Sequence, residues 1–145
     1  MPDGFHFSTE VRVRLPETDV MGIVFHGYFF TYMEVGRMDY LRNLGLTEDV
    51  KPIKGFENVV VHVACDFQSP ARFDDPLVVF VRIAEIKRTS FRFEFQMLHK
   101  RENRVVATGE SVHCAIDKAT WKPITVPEDF RAIIRKFEGP QVCGE

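Results

Sequence analysis

The chain has 145 residues, which fits one domain of ordinary size and leaves little room for a second. Hydrophobic residues make up 45% and charged residues 28%, a globular balance that excludes a disordered chain. A net charge of −2 excludes a dedicated nucleic-acid binder, so any anionic ligand must meet a local basic cluster.

In chain order, the N-terminal MPDGFHFSTEV carries neither the basic n-region nor the apolar h-region of a signal peptide. No apolar run reaches the roughly 18 residues that suggest a membrane span. The expectation is a soluble, cytoplasmic protein in which residues 1–145 form one domain. From Phe5 to Leu15 the residues alternate, Val11, Val13 and Leu15 against Glu10, Arg12 and Arg14, which predicts a half-buried strand. After Pro16–Gly27 the period turns helical. Phe29, Met33, Gly36, Tyr40, Leu41 and Leu44 make one stripe of a helix of about four turns, and Gly45 stands where a C-terminal glycine cap belongs. Gly36 costs roughly 1 kcal/mol against alanine inside a helix. Close approach to something flat, such as a sheet, is its expected compensation.

Four strands follow: Asn58–Phe67, Leu77–Ile86, Thr89–Leu98 and Val105–Ile116. In the third, Phe91, Phe93, Phe95 and Met97 alternate with Arg92, Glu94 and Gln96. Pro127 then opens a short helix, with Glu128 and Asp129 suited to its positive end and an apolar stripe of Phe130, Ile133, Ile134 and Phe137. The order predicts an α+β protein in which an antiparallel sheet covers the first helix. Leu77–Val81 and Val59–Val63 read apolar on both faces, more than one helix covers, so a homo-oligomer is expected. Cys65 and Cys114 lie in strand runs and read as small buried hydrophobes; Cys143 reads as an exposed tail residue. Neither the cysteines nor His62, Asp66 and His113 have metal-site spacing, so no metal is expected.

The chemistry concentrates in Glu17–Arg42, ETDVMGIVFHGYFFTYMEVGRMDYLR, where Asp19, Gly22 and His26 join the first strand to the helix. A loop ending at a helix N-terminus presents backbone N–H groups without intrahelical partners, which suit an oxyanion. Asp19 is close enough in sequence for a folded loop to bring its carboxylate to that donor, the minimum equipment for hydrolysing an activated acyl group. The same residues read equally as a turn former and a structural histidine. Lys87 and Arg88 likewise read as a solvated turn or as phosphate ligands.

This segment resembles the signature of the 4-hydroxybenzoyl-CoA thioesterase family, close to its acyl-CoA thioesterase branch. Thr18-Asp19, Gly22-Ile23-Val24-Phe25-His26, Tyr28, Tyr32, Glu34 and Arg37 carry the resemblance. SPARFDD (Ser69–Asp75), KRTSF (Lys87–Phe91) and KPITVPEDF (Lys122–Phe130) follow in the order of comparable family segments. The resemblance implies a hotdog fold: a five-stranded antiparallel sheet wrapped around one long central helix, a short C-terminal helix, and two protomers joining their sheets into a dimer or tetramer. It implies hydrolysis of an acyl-CoA to free acid and coenzyme A, without a cofactor, nucleic acid or membrane. Asp19 is then the nucleophile or general base and the backbone N–H at His26 the oxyanion donor. Gly22, Phe25, Tyr32, Glu34, Asn58 and Val60 would surround the substrate. Lys87, Arg88, Ser90 and, more weakly, Lys122 would meet the coenzyme A phosphates, often across the dimer interface. Phe25 stands where a tyrosine is common, which bears on acyl specificity and not on a backbone donor.

Two other readings stay open. A hotdog hydratase or dehydratase pairs an acid with a proton-transferring histidine at spacings other than that of Asp19 and His26. A non-catalytic acyl-CoA-binding module carries an attached DNA-binding domain, for which this chain has no room. The acyl group, short aliphatic, long aliphatic or aromatic, is not selected by the sequence.

Overall fold

The computed structural model describes residues 2–47 and 56–144. Its elements are β1 (Ser8–Arg12), α1 (Tyr28–Asn43), β2 (Glu57–Phe67), β3 (Pro76–Ile86), β4 (Ser90–His99), β5 (Val105–Ile116) and α2 (Glu128–Glu138). Short 3-10 turns lie at Leu15–Glu17 and Pro140–Cys143.

The five strands form one antiparallel sheet in the order β1-β3-β4-β5-β2, with β1 and β2 at its edges. β4 shows why. Phe91, Phe93, Phe95 and Met97 are buried on one face, while Arg92, Glu94 and Gln96 stand half-buried on the other. The apolar face meets α1, whose buried residues are Phe29, Tyr32, Met33, Gly36, Tyr40 and Leu41. A Cβ at Gly36 would stand 2.9 Å from both Val79 Cγ1 and Val81 Cγ2, so the glycine lets the helix axis lie close on β3. α2 extends the same layer: the Phe130 ring lies 5.0 Å from Phe91 and the Phe137 ring 5.8 Å from Tyr40. Ile133, expected in that stripe, is 37% exposed, because Phe130 and Ile134 take the seam one turn apart.

The central helix is sixteen residues, short for the long spine implied by the family resemblance. Its end is set chemically. Leu46 N–H donates to Leu41 O (2.9 Å) and Gly45 N–H to Arg42 O (3.0 Å), with Gly45 at φ +71°, the paired bonds of a Schellman cap. β1 is also shorter than its alternation predicts. Past Arg12, Val13 bonds to the Asp74–Asp75 turn, and Pro16 enters the 3-10 turn; before Ser8, the chain folds back as Phe5 N–H donates to Pro2 O.

The apolar surplus expected on two strands is present on one. Leu77, Val79, Phe80 and Val81 of β3 are all buried within the protomer. On the face away from α1, the N-terminal segment covers it, the Phe5 ring packing edge-on 6.1 Å from Phe80. On β2, Val60, Val61, Val63 and Phe67 are 46–59% exposed along the free edge. Cys65, Cys114 and Cys143 are free thiols, each half-buried. Among the described residues, no helix is long and apolar enough to cross a membrane.

Candidate active site

The loop from Glu17 to His26 is held at its base by a buried carboxylate. Glu17 is 3% exposed, and its Oε1 accepts the Tyr32 hydroxyl (2.7 Å) and the Arg14 N–H (2.9 Å). Arg14 Nε donates to Oε2 at 2.8 Å. Burial raises the Glu17 pKa, but the Arg14 N–H, the Tyr32 hydroxyl and the Arg14 guanidinium outweigh it, and the carboxyl is held below its ordinary value. Burial and the facing carboxylate push the Tyr32 phenol up, so this tyrosine is a donor. The Glu17 carbonyl also accepts Phe25 N–H at 2.9 Å, which closes the loop on itself.

Above that base, Asp19 and Gly22 form a tight turn. Gly22 N–H donates to Asp19 O (3.0 Å), Asp19 N–H to Ile23 O (2.9 Å), and Met21 N–H to Asp19 Oδ1 (2.8 Å). Gly22 takes φ +78°, where a side chain would be strained. Val24 N–H donates to Ala71 O at 2.8 Å, and Ile23 pairs with Arg72, pinning the loop to the segment that leaves β2. His26 and Gly27 then lead into α1. Among the described residues, neither the His26 nor the Gly27 N–H finds an acceptor.

These pieces enclose a cleft of about 440 Å³. Asp19 and His26 line one side, Phe29 and Phe67 the apolar base, and Gln68 to Ala71 the other side. The His26 ring packs against Phe25 (4.3 Å) and edge-on to Phe67 (6.0 Å) and makes no hydrogen bond to Asp19. The arrangement offers a carboxylate and the open backbone donor of His26 over an apolar floor, which suits a polarised carbonyl on an apolar chain.

The predicted pocket residues fall into three groups. Gly22 shapes the turn, and Phe25 is 44% exposed against His26; neither lines the cleft. Tyr32 is buried beneath the loop at Glu17, outside the cleft. Glu34 and Val60 meet at a second, smaller cavity of about 40 Å³ between α1 and β2. Asn58 reaches that cavity's wall through His113, its Oδ1 lying 3.2 Å from Nδ1.

Lys87, Arg88 and Ser90 form the β3–β4 turn, closed by Lys87 N–H donating to Ser90 O at 2.8 Å. Residues 122–126 run beside them: Pro123 pairs with Ile116, and Val126 N–H donates to Arg88 O at 2.8 Å. Lys122 therefore joins Lys87 and Arg88 at one end of the sheet. The Asp19 loop is at the other end, beside the start of β3. The length of β3, ten steps of about 3.3 Å, lies between the two.

A family model of the thioesterase-like superfamily matches residues 13–134. The chain belongs to the thioesterase-like superfamily. Among curated superfamily relatives, the acyl-CoA thioesterase YbgC of Haemophilus influenzae is 30% identical over 87% of this chain and 92% of its own. A thioesterase from Thermus thermophilus, solved with coenzyme A and Zn, superposes with TM-score 0.81 at 28% identity, covering 95% of this chain and 98% of that one. A DHNA-CoA thioesterase from Staphylococcus aureus, TM-score 0.82 at 23% identity over 95% and 94% of the two chains, shares the fold. The sheet and its two helices are thus those of the hotdog thioesterases in this superfamily.

Sequence reasoning missed Glu17, Phe67 and the cleft wall at Gln68 to Ala71. Glu17 gave no periodic signal, since its burial comes from a turn. Ser69 to Ala71 sat inside a recognised segment, but only the β2 to β3 connection brings that segment over Asp19.

Proposed function

We propose that this protein is an acyl-CoA thioesterase that works as a homodimer. The observation that supports the reading best is that Asp19 and His26, whose backbone N–H is open at the start of α1, line one cleft. Relatives of the superfamily that are named as acyl-CoA thioesterases support the same chemistry. The thioester carbonyl sits on the His26 N–H, whose place at the positive end of the helix dipole stabilises the developing oxyanion. Asp19 supplies the attacking oxygen, its own or that of a water it deprotonates. The C–S bond breaks, coenzyme A leaves as the thiol, and water completes the free acid. Asp19 Oδ1 is held by Met21 N–H, which leaves Oδ2 to face the carbonyl.

Two features support the dimer. The β2 edge is apolar and exposed over Val60, Val61 and Val63, a surface that a second copy covers by pairing edge to edge. Lys87, Arg88 and Lys122 lie at the end of the sheet away from Asp19 of their own chain, which supports a reading in which this cluster meets the phosphates of a coenzyme A bound in the partner subunit's cleft. A hydrolysis screen over acyl-CoAs from acetyl to palmitoyl and benzoyl, reading released thiol, tests the activity. Absence of thiol release across that panel refutes it. Light scattering tests the dimer, which a 16.8 kDa particle in solution would exclude.

A further inference from the structure

On the α1 side of β5, the row Ala107, Gly109, Ser111, His113 and Ala115, buried except for the half-buried Gly109, contains two polar residues among small ones. Ser111 is 5% and His113 1% exposed. Polar groups at such positions are costly unless bonded, and these two are bonded to each other. Ser111 Oγ lies 3.0 Å from His113 Nε2, and His113 Nδ1 lies 3.2 Å from Asn58 Oδ1. The His113 ring stacks on Phe91 at 5.5 Å, which fixes its plane.

The direction of this relay follows from its ends. Asn58 Oδ1 can only accept, so Nδ1 carries the ring proton and Nε2 is left as an acceptor. Ser111 then spends its one proton on Nε2 and has only lone pairs to offer elsewhere. Burial, with the Arg37 charge nearby, pushes the His113 pKa down to about 3, which keeps the ring neutral and the relay in this sense.

Ser111 and His113 form the floor of the small cavity between α1 and β2. Phe30 and Met33 wall it on the helix side and Val60 and Val63 on the strand side, with the Glu34–Arg37 pair at its rim. Met33 is seven residues beyond His26, roughly 10 Å at the helical rise. Both cavities border the same two elements, the cleft at Phe29 of α1 and Phe67 of β2 and the small cavity at Phe30, Met33, Val60 and Val63. At about 40 Å³ the cavity admits the end of a chain and no more.

We propose that the acyl chain runs along the helix from the cleft to this cavity, where Ser111, set as an acceptor by His113 and Asn58, selects acyl groups whose far end carries a hydrogen-bond donor, a hydroxyl above all. The assignment rests on the thioesterase reading for the orientation of the acyl chain. Its probes are matched acyl-CoAs from hexanoyl to decanoyl, each as the plain, the ω-hydroxy and the ω-methoxy thioester. For at least one length, the wild-type protein should favour the ω-hydroxy compound over both others by about tenfold or more in kcat/KM. Ser111→Ala should collapse that ratio, and Asn58→Ala, which frees the His113 proton, should reduce it. The conservative Ser111→Thr should retain part of it.

Equal rates for hydroxy and plain thioesters at every length would show that the cavity holds only water or nothing. A preference shared by the methoxy compound would show that the relay runs the other way. Either result overturns the proposal, even if the alanine variants do not fold. Calorimetric binding of the same thioesters to Asp19→Asn protein separates this inference from the hydrolase reading. A hydroxyl preference in binding, without hydrolysis by wild type, keeps the Ser111 site and removes the thioesterase.

Discussion

Replacing Tyr32 by phenylalanine removes one hydroxyl, and with it one of the donors that keep the Glu17 carboxylate buried and charged. The ring stays, so packing against Phe29 (5.8 Å between centroids) is unchanged. A hydrogen bond to a charged group is worth about 1.5–3 kcal/mol, and here the carboxylate left behind is almost wholly buried. Taking about 2 kcal/mol, and about 3 °C per kcal/mol at this chain length, Tyr32→Phe should lower Tm by roughly 6 °C at neutral pH. The pH dependence has a definite sign. The folded Glu17 has a depressed pKa, so its stabilisation is complete above the ordinary value of 4.5 and is lost as the pH falls through the folded value. The Tm gap between the two proteins should therefore be full at pH 7 and narrow in acid. Because the Glu17 carbonyl holds Phe25 N–H, loosening the base also moves the Asp19 turn, and kcat should fall more than KM changes. Thermal melts by circular dichroism across pH, with thiol release at 25 °C, measure all three. A Tm within about 1 °C of wild type and a gap indifferent to pH would show that the Tyr32–Glu17 bond does not support the loop.

Asp19→Asn should fold normally and lower kcat by at least ~10²-fold; near-wild-type thiol release would remove Asp19 from the chemistry. Neutralising Lys87 and Arg88 together should raise KM for an acyl-CoA far more than for a short thioester without the nucleotide, and equal effects would mark a solvated turn. Glu138, buried against Tyr40 (2.5 Å) and Ile83 N–H (3.3 Å), has its pKa raised by desolvation, so folding favours its protonated form. Its contribution is favourable in acid and is lost as pH rises through the folded pKa, so Glu138→Gln should raise Tm at pH 8 and make little difference in acid. A variant equally shifted at both pH values would contradict that account. Gly36→Ala gains about 1 kcal/mol of helix propensity but must push back Val79 and Val81, at about 1–3 kcal/mol, for a net loss of about 1 kcal/mol in urea denaturation. An unchanged or higher stability would mean that α1 does not rest on β3 at this position.

Much of the fold was legible because its periods are clean. The Phe91 to Met97 alternation marks a strand with one buried face, and Gly36 and Gly45 each declared a physical need that the structure meets at Val79–Val81 and in the Schellman cap. What stayed hidden depends on contacts far apart in sequence. The coverage of Phe80 by Phe5 cannot be read from β3 itself, whose apolar run looked unburied on one face. Glu17 carries no signal of its own in the sequence, and only its meeting with Tyr32, across the loop and inside the helix, makes it a buried anchor. The relay of Asn58, Ser111 and His113 draws on two strands whose register no single-strand pattern records.

The turn reading and the catalytic reading of Asp19 entered as rivals, and the geometry gives them a common basis. One carboxylate oxygen receives Met21 N–H at 2.8 Å, the bond of an ordinary Asx turn. A free carboxylate on a loop would sample many rotamers, and each productive encounter would cost their entropy. Tying Oδ1 to the turn removes most of that freedom, and Gly22 takes the φ of +78° that the turn needs and that would strain a side chain. Ile23 and Val24, bonded to Arg72 and Ala71, then set the height of that turn over the helix start. The structural role is the means by which the proposed chemical one is oriented. An enzyme built this way should lose activity when the turn is altered with Asp19 intact, and that expectation separates an oriented carboxylate from one that is merely present.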